Sequence, residues 1–294
     1  MTQCERSGFY ETSDGHRLYW ERHGKIGGRP IFFLHGGPGG YSSAQHLVFF
    51  DLNRFDVILF DQRGCGRSQP HGRLLHNNTS LLVDDIEALR RYFGFTGISL
   101  LGISWGSWLS LLYQNRFPES VAQITLASVF VPTKDYVSAY EQALTLCLHK
   151  MRQAPEMLTL EDLFCALHSA DSQQRRAAAR LWLGASLMLD GKTMDLSWCD
   201  ADIDEQAIRA INLELYYHLN DYFVTAQDLD LVFRSAEPLV VLQGVRDVFG
   251  LQSLCWLRRR GSLKSRLFQV GHDAFEPIFQ HAIRNAACGD LRPR

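Results

Sequence analysis

No two cysteines in this chain form a C-x-x-C, and its seven (Cys4, Cys65, Cys147, Cys165, Cys199, Cys255, Cys288) are scattered. An odd number without framework spacing argues against a disulfide scaffold and suits reduced thiols in the cytoplasm. No apolar stretch is long enough to span a bilayer. The start, Met1 to Arg6, carries no apolar core of a secretory signal. Basic blocks are also missing: 30 Lys and Arg face 32 Asp and Glu, a formal net charge of −2, which gives a nucleic-acid partner no electrostatic support. The eleven histidines show no H-E-x-x-H and no other clear metal spacing. Gly191-Lys192-Thr193 ends like a phosphate-binding loop, but Ser186 stands where that pattern needs glycine, and no strand precedes it. Internal repeats and low-complexity tracts are absent as well.

What is present is an ordinary globular composition. The 294 residues are 46% hydrophobic and 21% charged, enough to bury a large core as one domain with an insertion or as two domains. The chain is organised around Gly102-Ile103-Ser104-Trp105-Gly106. The apolar run Gly97–Leu101 before it reads as a buried strand, and Ser107–Phe117 after it reads as a helix stopped by Pro118. Strand, sharp turn and helix are the setting that makes G-x-S-x-G a nucleophile elbow.

Around the elbow, Phe9–Thr12 and Arg17–Arg22 alternate apolar and polar about Asp14-Gly15, a hairpin signal. Pro30–Leu34 and Phe55–Phe60 are continuous apolar runs, as expected of strands covered on both faces. They end in His35-Gly36-Gly37-Pro38-Gly39-Gly40 and in Asp61-Gln62-Arg63-Gly64-Cys65-Gly66-Arg67-Ser68. Leu81–Phe93 reads as a helix with Asn78 or Thr79 as cap and Gly94 as stop, and Val121–Val129 as a further strand. Between Thr133 and Ser235 strand signals vanish, and helices are expected over Tyr136–Met151, Leu160–Ser169, Gln173–Leu189 and Ile203–Leu219, with turn-rich pieces such as Asp190-Gly191-Lys192 between them. Strands resume at Pro238–Gly244 and Arg266–Val270, and a last helix covers Pro277–Ala287. The expectation is a mostly parallel central sheet with helices on both faces, a core of residues 1–132 and 236–294, and a helical cap over 133–235 inserted before the acid-bearing strand.

A serine hydroxyl needs a base to take its proton, and the base needs a partner to hold its tautomer. In elbow hydrolases the chain order is serine, acid, histidine. Asp247 follows the strand ending at Gly244, and His272 follows the last strand, both at the strand C-termini where open α/β sheets build their sites. Asp273 and Asp61 are the rival acids; the first adjoins the base in sequence and the second precedes the serine. Backbone N–H groups of Trp105 and of Gly36 or Gly37 are the expected oxyanion donors. Trp182 and Trp198 read as core rather than as a platform for a ligand.

These segments together resemble the proline iminopeptidases, serine peptidases of the α/β-hydrolase fold. The match runs through His35–Gly40, Asp61–Ser68, Asn78–Arg90, Ser104–Ser107, Gly244–Asp247, and Gly271-His272 with Glu276-Pro277. The resemblance implies the triad Ser104, Asp247 and His272, no metal or organic cofactor, and a small peptide or aminoacyl substrate. It also implies cap glutamates for the substrate α-ammonium. Leu213-Glu214-Leu215-Tyr216-Tyr217 is similar to the family's I-E-N-H-Y-F segment, so Glu214 is the candidate. The family's second acidic stretch, like W-E-G-E-T, meets Trp182-Leu183-Gly184-Ala185-Ser186, which has no carboxylate; Glu205 and Asp221 are other acids of the region. Ile103 replaces a small residue usual beside the serine. The expected activity is an aminopeptidase releasing N-terminal proline through an acyl-enzyme; the alternative is a carboxylesterase or amidase for a small acyl group.

Overall fold

The computed structural model describes residues 6–152, 158–189, 203–230 and 239–289. Eight strands form one sheet: β1 (Arg6–Glu11), β2 (Arg17–Gly24), β3 (Arg29–Leu34), β4 (Phe55–Phe60), β5 (Ile98–Ile103), β6 (Val121–Ala127), β7 (Leu239–Gly244) and β8 (Leu263–Phe268). Their order is β1-β2-β4-β3-β5-β6-β7-β8. The β1–β2 hairpin and its junction with β4 are antiparallel. All other pairings are parallel.

The two faces of the sheet carry separate cores, and the strands feed both by alternation. Ile31, Phe33, Val57 and Leu59 enter one core with Phe49, Phe279 and Ile283. Their neighbours Phe32, Leu34, Ile58 and Phe60 enter the other with Trp105, Trp108 and Leu109. This is why both strands read as unbroken apolar runs. Helices α1 (Thr79–Tyr92) and α2 (Trp105–Arg116) cover one face. Asn78 caps α1 by accepting from the Leu81 N–H at 3.1 Å.

The region after β6 is helical: α3 (Lys134–Arg152), α4 (Leu160–Leu167), α5 (Ser172–Leu189) and α6 (Glu205–Leu219). It has a third core of its own, including Leu144, Leu148, Leu163, Trp182, Ile208, Ile211 and Leu215. Leu213 and Tyr217 of α6 turn the other way and join the core of the sheet. Helix α6 also lies directly on two glycines of the sheet's loops. A Cβ on Gly39 would meet the Ala210 carbonyl oxygen at 2.4 Å, and one on Gly72 would meet the Arg209 side chain at 2.8 Å. The expected turn at 190–192, Trp198, Gly191-Lys192-Thr193, Pro238 and the 235/236 boundary lie outside the described residues. Among the described residues no helix is long and apolar enough to cross a membrane.

The main differences from the sequence reading lie after the insertion. Helix α7 (Val248–Arg258) was not foreseen; its signal is the Asp247 side chain, which accepts from the Gly250 N–H at 2.9 Å as an N-cap. Strand β8 begins at Leu263 and ends at Phe268, rather than covering Arg266–Val270. It is an edge strand with Lys264, Arg266 and Leu267 exposed, so only its buried end gives an apolar signal. Helix α8 (Pro277–Ala287) closes the second face with Phe279, Ala282, Ile283 and Ala286 buried.

The elbow depends on contact between backbones. A Cβ on Gly102 would lie 2.4 Å from the Gly106 carbonyl oxygen, and one on Gly106 would lie 1.9 Å from that of Leu34. No side chain can move to relieve the second clash, because both partners are main chain. Gly106→Ala is expected to destabilise the fold by about 3 kcal/mol, seen as a fall in Tm of roughly 5–10 °C by circular dichroism. An unchanged melt would mean that α2 and β3 can part freely.

Candidate active site

Ser104 ends the β5 turn at φ 53° and ψ −122°, outside the regions an L-residue prefers, and α2 begins at the next residue. Such a conformation costs about 1–3 kcal/mol and persists only where its surroundings impose it. Here the glycine contacts just described impose it, and the Ser104 N–H donates to the Ala127 carbonyl at 3.1 Å. The turn presents Oγ at the C-terminal edge of the sheet.

Ser104 Oγ donates to His272 Nε2 at 3.0 Å, and His272 Nδ1 donates to Asp247 Oδ2 at 2.7 Å. A carboxylate only accepts, so the proton is fixed on Nδ1 and Nε2 is free to act as a base. Asp247 also accepts from Gln243 Nε2 at 2.8 Å, and Gln243 is held by the Val129 N–H at 2.8 Å. Burial pushes the Asp247 carboxyl up, but the bond and charge of His272, with the Gly250 and Gln243 bonds, outweigh it and leave its pKa lowered. The carboxylate therefore stays ionised beside the imidazole.

The rival acids are elsewhere. Asp61 is buried with its oxygens engaged by Ser42 N–H and Oγ at 2.8 and 2.6 Å and by Arg67 N–H and Nε at 2.9 Å each. It ties down the loop after β4. Asp273 is exposed and accepts from the Phe275 N–H at 2.9 Å.

The glycine-rich loop runs beside the serine. A Cβ on Gly36 would approach Ser104 Cβ to 3.3 Å, and Gly37 has φ +126°, a conformation that favours glycine. His35 anchors this loop. The Gln62 N–H donates to its Nε2 at 3.0 Å, and its Nδ1 donates to the Gly36 carbonyl at 2.8 Å. Burial lowers the His35 pKa and keeps the ring neutral. Gln62 Oε1 then accepts from Trp105 Nε1 at 3.0 Å, joining the loop to the first residue of α2. Sequence reasoning missed the two glutamines as props; both follow or end apolar strands, the one signal available.

Ser104 and His272 open onto a cavity of about 740 Å³ whose far walls come from the insertion. Phe130, Tyr136, Tyr140, Tyr222 and Phe249 give it an aromatic lining, and Trp182 and Glu214 stand on the α5–α6 side. Trp182 Nε1 donates to Glu214 Oε2 at 3.0 Å. The Glu214 carboxyl is half-buried at the cavity wall. Burial raises its pKa to about 7, against a smaller lowering by the Trp182 bond. Trp182 is thus both core and wall. Leu183 and Ser186 line the cavity too, so the segment lacking a carboxylate in the sequence also lacks one in space. Glu205 pairs with Arg175 at 2.6 Å and Asp221 is exposed; neither lines the cavity and neither substitutes there.

A family model described as alpha/beta hydrolase fold matches residues 29–197. The chain is 33% identical over 285 residues to a proline iminopeptidase of Xylella fastidiosa, covering 90% of each chain. It is 32% identical to one of Arabidopsis thaliana, covering 92% of this chain and 76% of the relative. Among solved structures, a proline iminopeptidase-related protein of Thermus thermophilus superposes with a TM-score of 0.63 at 21% identity over 97% of this chain and 98% of that one. An esterase of Exiguobacterium antarcticum gives 0.64 at 15% identity over 98% and 100%. At such identities the two structures share the fold alone.

Proposed function

The chain belongs to the proline iminopeptidase family of the α/β-hydrolase fold, and from that premise we propose that it is a serine aminopeptidase releasing N-terminal proline from peptides. One observation carries the reading: the Ser104–His272–Asp247 relay opens on an aromatic cavity whose α5–α6 side holds, among the described residues, the carboxyl of Glu214. The relay supplies acyl transfer, the rings suit a pyrrolidine, and a desolvated ammonium needs a carboxylate beside it.

The steps follow from the atoms. Ser104 Oγ attacks the prolyl carbonyl carbon while His272 Nε2 takes its proton. The oxyanion lies against the N–H of Trp105 and of Gly36 or Gly37. Collapse breaks the C–N bond, and His272 returns the proton to the departing amine. Water, deprotonated by His272, then attacks the prolyl ester and frees proline and Ser104. Asp247 holds His272 in one tautomer and stabilises its charged form throughout. Nothing in this sequence calls on a metal or an organic cofactor. The cysteines have no framework spacing, and Cys65, Cys147 and Cys288 are buried, which suits a reducing compartment such as the cytoplasm.

Steady-state hydrolysis of a prolyl arylamide, its N-acetylated form and a short-chain aryl ester tests the reading. The free-amine compound should exceed the acetylated one by at least about a hundredfold in kcat/KM. Turnover of the ester alone would overturn it in favour of a carboxylesterase, the reading favoured by the missing carboxylate at Leu183–Ser186.

A further inference from the structure

The serine stands between two cavities. Ser104, His272 and Gly37 line the large one and also a smaller one of about 350 Å³. Among the described residues, the smaller contains nothing from the helical insertion. Its own walls are Phe33, His46, Ile103, Ala274 and Phe275. A bond cut at Ser104 has an acyl side and an amine side. If the acyl side and its ammonium occupy the cavity of Glu214, the departing amine faces the other opening. We propose that the smaller cavity is the subsite for the leaving residue, that it selects peptides with an apolar or aromatic second residue, and that Ile103 limits its depth. The inference rests on the aminopeptidase reading.

Three observations give the subsite its chemistry. Its rings form a continuous surface: His46 lies 4.5 Å from Phe33 and 5.4 Å from Phe275, centroid to centroid, and Phe49 backs Phe275 at 5.2 Å. Phe275 is 38% exposed, a large apolar side chain left facing solvent at the mouth. Among the described residues, the lining holds no lysine or arginine to pair with an acidic residue. Burial lowers the His46 pKa to about 4, so the ring is neutral at pH 7, and the exposed Asp273 carboxylate lies in the lining. Ile103 is half-buried immediately before the nucleophile, against the same core as Phe33. Its branched side chain occupies room that a smaller residue would leave to the substrate.

The test uses amidated dipeptides Pro-Xaa with Xaa Gly, Leu, Phe, Trp and Asp. All five form the same acyl-enzyme, so a slow deacylation would equalise kcat; kcat/KM reports the step in which the leaving residue is still bound. Leu and Phe should exceed Asp by at least about tenfold, with Gly between them. Ile103→Ala should raise the Trp-to-Leu ratio by about tenfold. Phe275→Ala, with its melt measured alongside, should lower Phe and Trp while sparing Gly. Equal kcat/KM across the series, with a prolyl arylamide still turned over, would overturn the subsite and leave the aminopeptidase standing. Failure of well-folded enzyme on every prolyl compound would overturn both.

Discussion

Ser104→Ala should lower kcat on a prolyl arylamide by about 10⁶-fold while the protein melts as before. The size follows from how the three side chains divide one task. Without Oγ there is no covalent intermediate, and the Nε2 base has nothing to activate except water held in no set position. His272→Ala should therefore cost nearly as much, and the double variant little more than either. Asp247→Asn should cost about 10⁴-fold, because an amide can donate to Nδ1 and favour the wrong tautomer. The alanine side chain fits the Ser104 position, and the Ser104 N–H bond to Ala127 is kept. Loss of activity with an unchanged Tm is thus the expected pair of readouts. Residual activity above about 1% would remove Ser104 from the role of nucleophile.

Glu214→Gln is the second large effect. The amide keeps the shape and can still accept from Trp182, so what is lost is the charge. Breaking one partner of an enclosed ion pair costs about 2–5 kcal/mol, or roughly 30- to 4,000-fold in kcat/KM on a free-amine substrate. An uncharged aryl ester should be nearly unaffected. The pH profile adds a sign. With its pKa raised to about 7 in the empty cavity, Glu214 is neutral in acid and becomes a carboxylate as pH rises through that value. Affinity for the ammonium therefore grows with pH there. Beyond the rise that both substrates share as His272 loses its proton, the prolyl substrate should show an added ascent near pH 7, and Glu214→Gln should remove that difference. Stability moves the opposite way. An acid whose pKa is raised by folding binds more protons folded than unfolded, so it loses stability as pH rises from the unfolded pKa towards 7. The Gln variant should melt no lower than wild type at pH 8. A lower melt, or equal losses on both substrates, would assign Glu214 to structure rather than recognition.

The sheet and the relay were legible in the sequence for identifiable reasons. Strands β3 and β4 are apolar on both faces because each face has a core. Gly102 and Gly106 mark the elbow because neither position has room for a Cβ. Ser104, Asp247 and His272 follow strand ends, and strand ends share one edge of a parallel sheet. The rest was hidden because its signal is spatial. Helix α7 starts at a residue already occupied by a catalytic expectation. Strand β8 alternates charges at an edge. The aromatic wall combines Phe130, Tyr136, Tyr222 and Phe249, which no periodicity links. The two openings at Ser104 cannot be read from one chain segment at all.

The contact of Gly39 with the Ala210 backbone makes the helical insertion a support for the loop beside the serine as well as a wall of the cavity. The loop of Gly36 and Gly37 leans on the helix that carries Glu214, with no side chain between them to act as a cushion. Shortening the insertion to widen the cavity would remove the buttress of that loop along with the cavity wall. Redesign of this scaffold has to proceed by replacing residues on the cavity faces of α5 and α6, with the footing of α6 left in place.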